Sequence, residues 1–248
     1  MEVIYMKDQN LNQVNKAESG ISTNSSDTAV RTFFTKRNIG LLALAYAASI
    51  LAQNVLFGVS GAPGYNDPIE VVLSYHANNQ STLAITSGLE AVNMVFLLFF
   101  VTALGGYIKN HGNRGSSWVQ LSTSAGATLS ALFALTIATH ISVTLAAKSL
   151  IEPNFAFQMM WQFHAASFAL SLPALGLTII GTVLALHSSG LIRSTMKVFG
   201  LLISLLPIIA GLGNLAVAGG SSFIYIGVMG LFLWILWLIL TGLRLIRG

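Results

Sequence analysis

The chain has 248 residues and a formal net charge of +4; hydrophobic residues make up 54% of it and charged residues only 8%. Because a soluble domain carries about 25% charged residues, this composition excludes an ordinary soluble protein. The basic residues form no stripe interleaved with aromatic residues, so we expect no nucleic-acid partner. The absence of cysteine excludes disulfide bonds, thiolate metal sites and cysteine nucleophiles.

Six long apolar stretches divide the chain. A helix of about 20 apolar residues crosses the hydrocarbon core of a bilayer, and each stretch reaches that length. The apolar runs are continuous rather than alternating, which argues against membrane-spanning strands. The sequence therefore predicts an all-α bundle of six transmembrane helices, with spans at 39–58, 83–107, 119–147, 157–187, 197–218 and 223–243.

Lysine and arginine are distributed unevenly between the spans. They lie before the first span and after the second, fourth and sixth, whereas the other three gaps hold one basic residue, Lys148. Cytoplasmic loops retain Lys and Arg because moving them across a bilayer is unfavourable. The pattern predicts cytoplasmic N- and C-termini in a bacterial or archaeal inner membrane, with the lipid bilayer as partner. The polar segment 1–38 predicts a disordered cytoplasmic tail.

The third span carries small residues at every fourth position. Such a ladder lets a neighbouring helix approach closely, because van der Waals contact drives helix association in lipid. We therefore expect this span to pack tightly against another helix along Ser122, Gly126, Ser130, Ala134, Ala138, Ser142 and Ala146.

The loop between the first two spans is the one long outer loop. Asp67 suits an N-cap, Pro68 the first helical position and Glu70 the third, which together predict a capping box. We expect a short amphipathic helix near 68–78, lying on the outer surface with His76 solvated. The loop could cover an outward-facing site or merely connect two spans, and the second interpretation is the commoner role of outer loops.

Ionisable residues within the spans are few, and three of them share one depth. Glu90, His140 and His164 each lie seven residues from the predicted outer end of a span, about 10 Å below the boundary. A carboxylate or imidazole at this depth is costly unless it faces the bundle or water, so we expect a polar pocket in the outer half. The same layer contains the amides Asn54 and Asn214, and Asn93 extends the face of Glu90 three residues further along the span.

Three hypotheses fit this layer. In the first, Glu90 bonds to histidine and asparagine side chains and fixes the register of the helices. In the second, His140 and His164 bind a metal with Glu90, or hold a haem between them, because histidine and carboxylate are common ligands. In the third, the cluster binds a small polar ligand or carries protons.

The sequence therefore predicts an integral membrane protein with a polar pocket and leaves its activity and cofactors open. One alternative is a haem- or metal-dependent redox protein or hydrolase; another is a proton-linked transporter or a structural assembly protein. No nucleophile elbow, His-Glu-x-x-His motif or phosphate-binding glycine loop is present. Neither a small-molecule ligand nor a protein partner can be identified from the residues.

Three stretches carry a resemblance to known sequences: residues 70–79, the region of Trp161, and residues 190–200. In them the chain resembles a loose family of uncharacterised bacterial multi-pass membrane proteins, over most of residues 39–218. The resemblance implies a bacterial integral membrane protein. It supplies no activity and no site residue for this chain.

Overall fold

The computed structural model describes residues 34–247, which contain α helices and no strand. Six of these helices are long and apolar enough to cross a membrane. The all-α, six-span class is confirmed, and the chain is an integral membrane protein. The predicted tail falls mostly on residues 1–33, outside the described part. The helices are α1 Lys36–Ser60, α2 Ile69–Asn78, α3 Gln80–Asn110, α4 Ser116–Ala147, α5 Phe155–Ser188, α6 Ser194–Leu212, α7 Asn214–Ala218 and α8 Ile224–Arg247.

The six spanning helices form a ring in chain order. Each packs against the next, and α8 also packs against α1, which closes the ring. Helix α5 is the most enclosed: 72% of an 18-residue apolar segment is buried, against at most 44% in the other five. It therefore presents the least surface to lipid.

One half of the ring is filled by a continuous apolar core. This core joins the first half of α1 to the second halves of α3, α5 and α8. Trp234 and Trp237 lie at its centre, fully buried, with ring centroids 5.0 Å apart. The opposite half, where α2 lies, contains the cavity described below.

Close contact between α4 and α5 uses only part of the predicted small-residue ladder. A Cβ added to Gly181 would lie 2.5 Å from the Ser122 backbone nitrogen, and Ser122 Oγ lies 2.7 Å from Thr182 Oγ1. Further along α4, Ala134 and Ala138 are exposed. A four-residue repeat gains about 40° on each step of a 3.6-residue helix, so the stripe turns away from its neighbour.

Helix α2 begins differently from the predicted capping box. Pro68 occupies the N-cap position, and the first helical residue is Ile69. The predicted roles of Asp67 and Glu70 are therefore wrong. Asp67 Oδ2 instead accepts a hydrogen bond from the Gly64 N–H at 2.7 Å, because a short carboxylate readily closes a turn over its own backbone.

The buried face of α2 lies against α4 and α5. Val72 and Leu73 join an apolar cluster with Val143 and Phe157. On the same face, His76 is only 1% exposed. The expectation of a solvated His76 is wrong, because the helix face that carries it is the one that packs.

The fifth predicted span, 197–218, is divided in the structure. Helix α6 ends at Leu212, and α7 begins after Gly213. Glycine is a poor helix former, but the apolar run continues across it, so hydropathy alone does not reveal the break. Asn214 is consequently the exposed first residue of α7 and not an inward-facing side chain of a span.

Candidate functional site

A cavity of about 380 Å³ lies between α1, α3, α4, α5 and α8, with loop 61–68 and α2 contributing to its wall. Its lining includes five of the six predicted pocket residues: Glu90, His140, His164, Asn93 and Asn54. The sixth, Asn214, is not part of the lining. Five of the six residues expected in the outer layer therefore lie around one cavity.

Loop 61–68 and α2 are fixed over this end of the bundle by two contacts. Tyr75 OH lies 2.6 Å from Ser60 Oγ at the end of α1. Gly220, with a φ of +77°, lies so close to the loop that a Cβ on it would be 2.6 Å from the Asn66 Cβ. The backbone conformation and the lack of space both favour glycine at this position.

Gln53 of α1 connects two polar residues of α3, Glu90 and Asn93. Its Nε2 donates to Glu90 Oε1 at 3.2 Å, and its Oε1 accepts from Asn93 Nδ2. Glu90 and Asn93 are three residues apart, so they lie on one face of α3. Gln53 was missed by the sequence argument, although a glutamine inside the first apolar span was the available signal.

Glu90 also faces α4. Its Oε2 lies 3.5 Å from His140 Nδ1, and both side chains are 6% exposed. Among residues 34–247, neither of these atoms has a hydrogen-bond partner, and neither does Asn93 Oδ1. A buried polar atom without a partner costs about 1–3 kcal/mol. Three such atoms, Glu90 Oε2, His140 Nδ1 and Asn93 Oδ1, lie on two neighbouring helices at the wall of the cavity.

Three imidazoles lie side by side in the cavity wall. The His140 ring centroid is 5.3 Å from that of His76 and 5.4 Å from that of His164. His164 Nδ1 lies 3.0 Å from the Thr136 carbonyl oxygen, which can only accept, so this nitrogen carries a proton. His76 Nδ1 lies 2.9 Å from the Thr144 hydroxyl oxygen.

The Thr144 hydroxyl itself donates to the His140 carbonyl oxygen at 2.8 Å. It must therefore accept from His76, whose Nδ1 carries the proton. In the neutral forms of His76 and His164, Nε2 is consequently the unprotonated acceptor. The histidines thus add acceptors to the site.

Aromatic rings surround this cluster. Trp161 stacks on His164, with centroids 5.2 Å apart and planes inclined by 11°. Asn154 caps α5 through a bond from the Phe157 N–H, and Trp161 and His164 follow on one helical face. The Tyr65 centroid lies 5.4 Å from Trp161 and 5.8 Å from His164.

Two cavity residues outside the spanning helices, His76 and Tyr65, have shifted pKa values. Both side chains are uncharged near neutral pH. Burial lowers the pKa of His76 to about 3, with further lowering by His140 and His164. Burial raises the pKa of Tyr65, and the neighbouring Glu90 raises it further. Neither side chain therefore adds charge to the cavity.

The geometry does not support the metal and haem hypotheses. Glu90 and His140 are close enough to share one ion, but no three His, Asp or Glu side chains within residues 34–247 are grouped to hold a metal. The Nδ1 atom of His164 is already bonded to α4. The His140 and His164 centroids, 5.4 Å apart, leave too little room for a haem between two axial ligands.

No family model, curated protein or solved structure matches the chain. The resemblance to bacterial multi-pass proteins stays a prediction.

Proposed function

We propose that the protein binds a small, mainly apolar molecule through a head group that donates hydrogen bonds. The observation that carries this proposal is the pair of buried acceptors on α3, Glu90 Oε2 and Asn93 Oδ1, without hydrogen-bond partners in the described part of the chain. Both residues line the cavity. A ligand that donates to these atoms removes the cost of leaving them unpaired.

The size and the wall of the cavity suit such a molecule. Small-molecule sites enclose about 300–1,000 Å³ and combine apolar or aromatic walls with a few polar groups. The cavity has this composition, with its polar groups concentrated around Glu90 and the histidines. The aromatic part of the lining consists of Tyr46, Phe57, Tyr65, Tyr75, Phe133, Trp161 and Phe168.

A hydrolase is less well supported. Nucleophilic catalysis needs a hydroxyl within hydrogen-bond reach of a base. Ser130 lines the cavity, but its Oγ has no hydrogen-bond partner among residues 34–247. The arrangement therefore favours binding, or binding as a step of transport, over hydrolysis.

The proposal is tested with two probes that share a phenylethyl group and differ in their head group. The hydroxyl of phenethyl alcohol donates a hydrogen bond, whereas the carboxylate of hydrocinnamate only accepts. We expect the alcohol to raise the melting temperature of the full chain in lipid nanodiscs, since a ligand at 100 times its Kd adds about 2.7 kcal/mol. Hydrocinnamate should have no effect, because Glu90 repels it. Failure of both the alcohol and the matching amine, phenethylamine, to shift the melting temperature would overturn the proposal.

The matched variants are Asn93→Leu and Ser87→Ala, both on α3. Asn93→Leu removes one free acceptor and should weaken the effect of the alcohol. Ser87 is half-buried, bonds to the Ala84 carbonyl of its own helix and is not part of the lining. Ser87→Ala should therefore respond to the alcohol as the unaltered protein does.

A further inference from the structure

We propose that the head group of the ligand is a cation, a primary or secondary ammonium held by Glu90 and Asn93 inside the aromatic wall. This inference rests on the proposed binding function and narrows it to one chemical class. Three features of one cavity support this inference: a single carboxylate, an amide oxygen without a partner, and several aromatic rings.

The charge of the lining is the first argument. Within residues 34–247, Glu90 is the one acidic residue of the lining, and no Lys or Arg contributes to it. A buried carboxylate is costly unless a positive group neutralises it. His140 is the nearest candidate: its Nδ1 lies 3.5 Å from Oε2, close enough to form an ion pair when the ring is protonated, but it donates no hydrogen bond there. A ligand ammonium can supply both the charge and the missing bond.

The orientation of the two amides is the second argument. A carboxylate only accepts, so the group that Gln53 offers to Glu90 must be its NH2. The Gln53 oxygen then accepts from the Asn93 NH2. Among the polar atoms of these three side chains, this leaves the Asn93 oxygen and Glu90 Oε2 without a partner in residues 34–247, and both are acceptors.

The number of donors is the third argument. A hydroxyl has one O–H and can satisfy only one of the two free acceptors. A primary ammonium has three N–H groups and can bond to both Glu90 Oε2 and Asn93 Oδ1. Bonds between charged partners are about twice as strong as neutral ones, so the cation gains more from this pair than a neutral donor does.

The aromatic wall is the fourth argument. Cations are attracted to aromatic faces within about 6 Å, and most strongly to tryptophan. The Tyr65 centroid lies 5.4 Å from Trp161 and 5.9 Å from Phe168, so three aromatic rings lie together beside the histidines. The Phe57 centroid lies 5.7 Å from His140, on the side of α1. Such a wall accepts an organic cation and offers no favourable contact to a carboxylate.

The test compares phenethylamine with phenethyl alcohol on the full chain in nanodiscs of neutral lipid, by calorimetry near neutral pH. We expect phenethylamine to bind at least about tenfold more tightly, the difference that a charge-assisted hydrogen bond supplies. Phenethyltrimethylammonium keeps the charge but has no N–H, and it should bind more weakly than the primary amine.

Glu90→Gln should reduce the affinity for phenethylamine to about that for the alcohol, because it removes the charge of the carboxylate. Glu70→Gln removes an exposed carboxylate of α2 and should change neither. If the alcohol binds and the amine binds no more tightly, the cation inference is overturned and the proposed function stands. If neither binds, the proposed function itself fails. Both outcomes are decided on the unaltered chain, even if Glu90→Gln does not fold.

Discussion

His140 Nδ1 lies 3.5 Å from Glu90 Oε2, and this contact joins α4 to α3 at the wall of the cavity. The other carboxylate oxygen accepts from Gln53 on α1. One buried carboxylate therefore connects three helices that are separated in sequence. Any change in its protonation or bonding acts on the packing of all three.

Gln53→Leu should destabilise the protein by about 1–3 kcal/mol. The change removes the bonds to Glu90 and Asn93 and leaves both groups buried with fewer partners. The measurement is the free energy of unfolding in one detergent. Asn54→Leu is the control, because Asn54 Nδ2 donates only to the Ile50 carbonyl of its own helix. Equal losses for the two variants would show that the network adds no stability.

Gly181→Ala should separate α4 from α5. The new Cβ would lie 2.5 Å from the Ser122 backbone nitrogen, where no side chain can move aside, and overpacking of this kind costs about 1–3 kcal/mol. Gly88→Ala meets no atom within 4 Å and should be neutral or stabilising by up to about 1 kcal/mol. Melting temperatures measured side by side check both values; a stable Gly181→Ala protein would contradict the close approach.

The stability of the protein should fall in acid, and His76 contributes to that fall. Its pKa in the folded chain is about 3, below the ordinary 6.5, so the unfolded chain takes up the proton first. The contribution of neutral His76 to the free energy of unfolding is fully present above about pH 6.5. It decreases as the pH falls towards about 3, by at most about 1.4 kcal/mol per pH unit.

His76→Asn keeps an N–H donor for Thr144 and removes the titrating ring. Its melting temperature should therefore fall less steeply over this pH range than that of the unaltered protein. Val72→Ala, on the same buried face of α2, should lower the melting temperature at every pH and keep the original slope. Identical slopes for the unaltered protein and His76→Asn would exclude His76 as a contributor.

The membrane orientation is testable because the chain contains no cysteine. Ser74→Cys and Ser117→Cys each introduce one thiol at an exposed position, on α2 and at the start of α4. If basic loops stay in the cytoplasm, an impermeant maleimide labels the first variant in intact cells and the second only after permeabilisation. The reverse pattern would invert the predicted topology.

The number and approximate positions of the spans follow from hydropathy, because each helix needs an apolar stretch of about 20 residues to cross the hydrocarbon core. The depth of Glu90, His140 and His164 follows from counting residues along helices of fixed rise. Hydropathy cannot show a break such as the one at Gly213, where a single weak helix former interrupts a continuous apolar run. Asn214 was placed in the pocket layer for this reason.

The remaining parts of the site depend on which helix faces which. Gln53 and Asn54 are adjacent amides in the first span, and only the packed ring shows that Gln53 bonds to α3 while Asn54 bonds to its own helix. His76 and Tyr65 lie outside the spans, where the sequence suggests solvent. The apolar face of α2 was visible in the sequence, but its partners on α4 and α5 were not.

Because α5 is the most buried spanning helix, it can accept fewer substitutions during evolution than the other spans. A position that faces lipid accepts almost any apolar residue, so the outward faces of the other helices can change freely while the fold is kept. Helix α5 has few such positions, and it also carries Trp161 and His164. Distant relatives of the chain should therefore be easiest to recognise through α5, after similarity in the other spans has been lost.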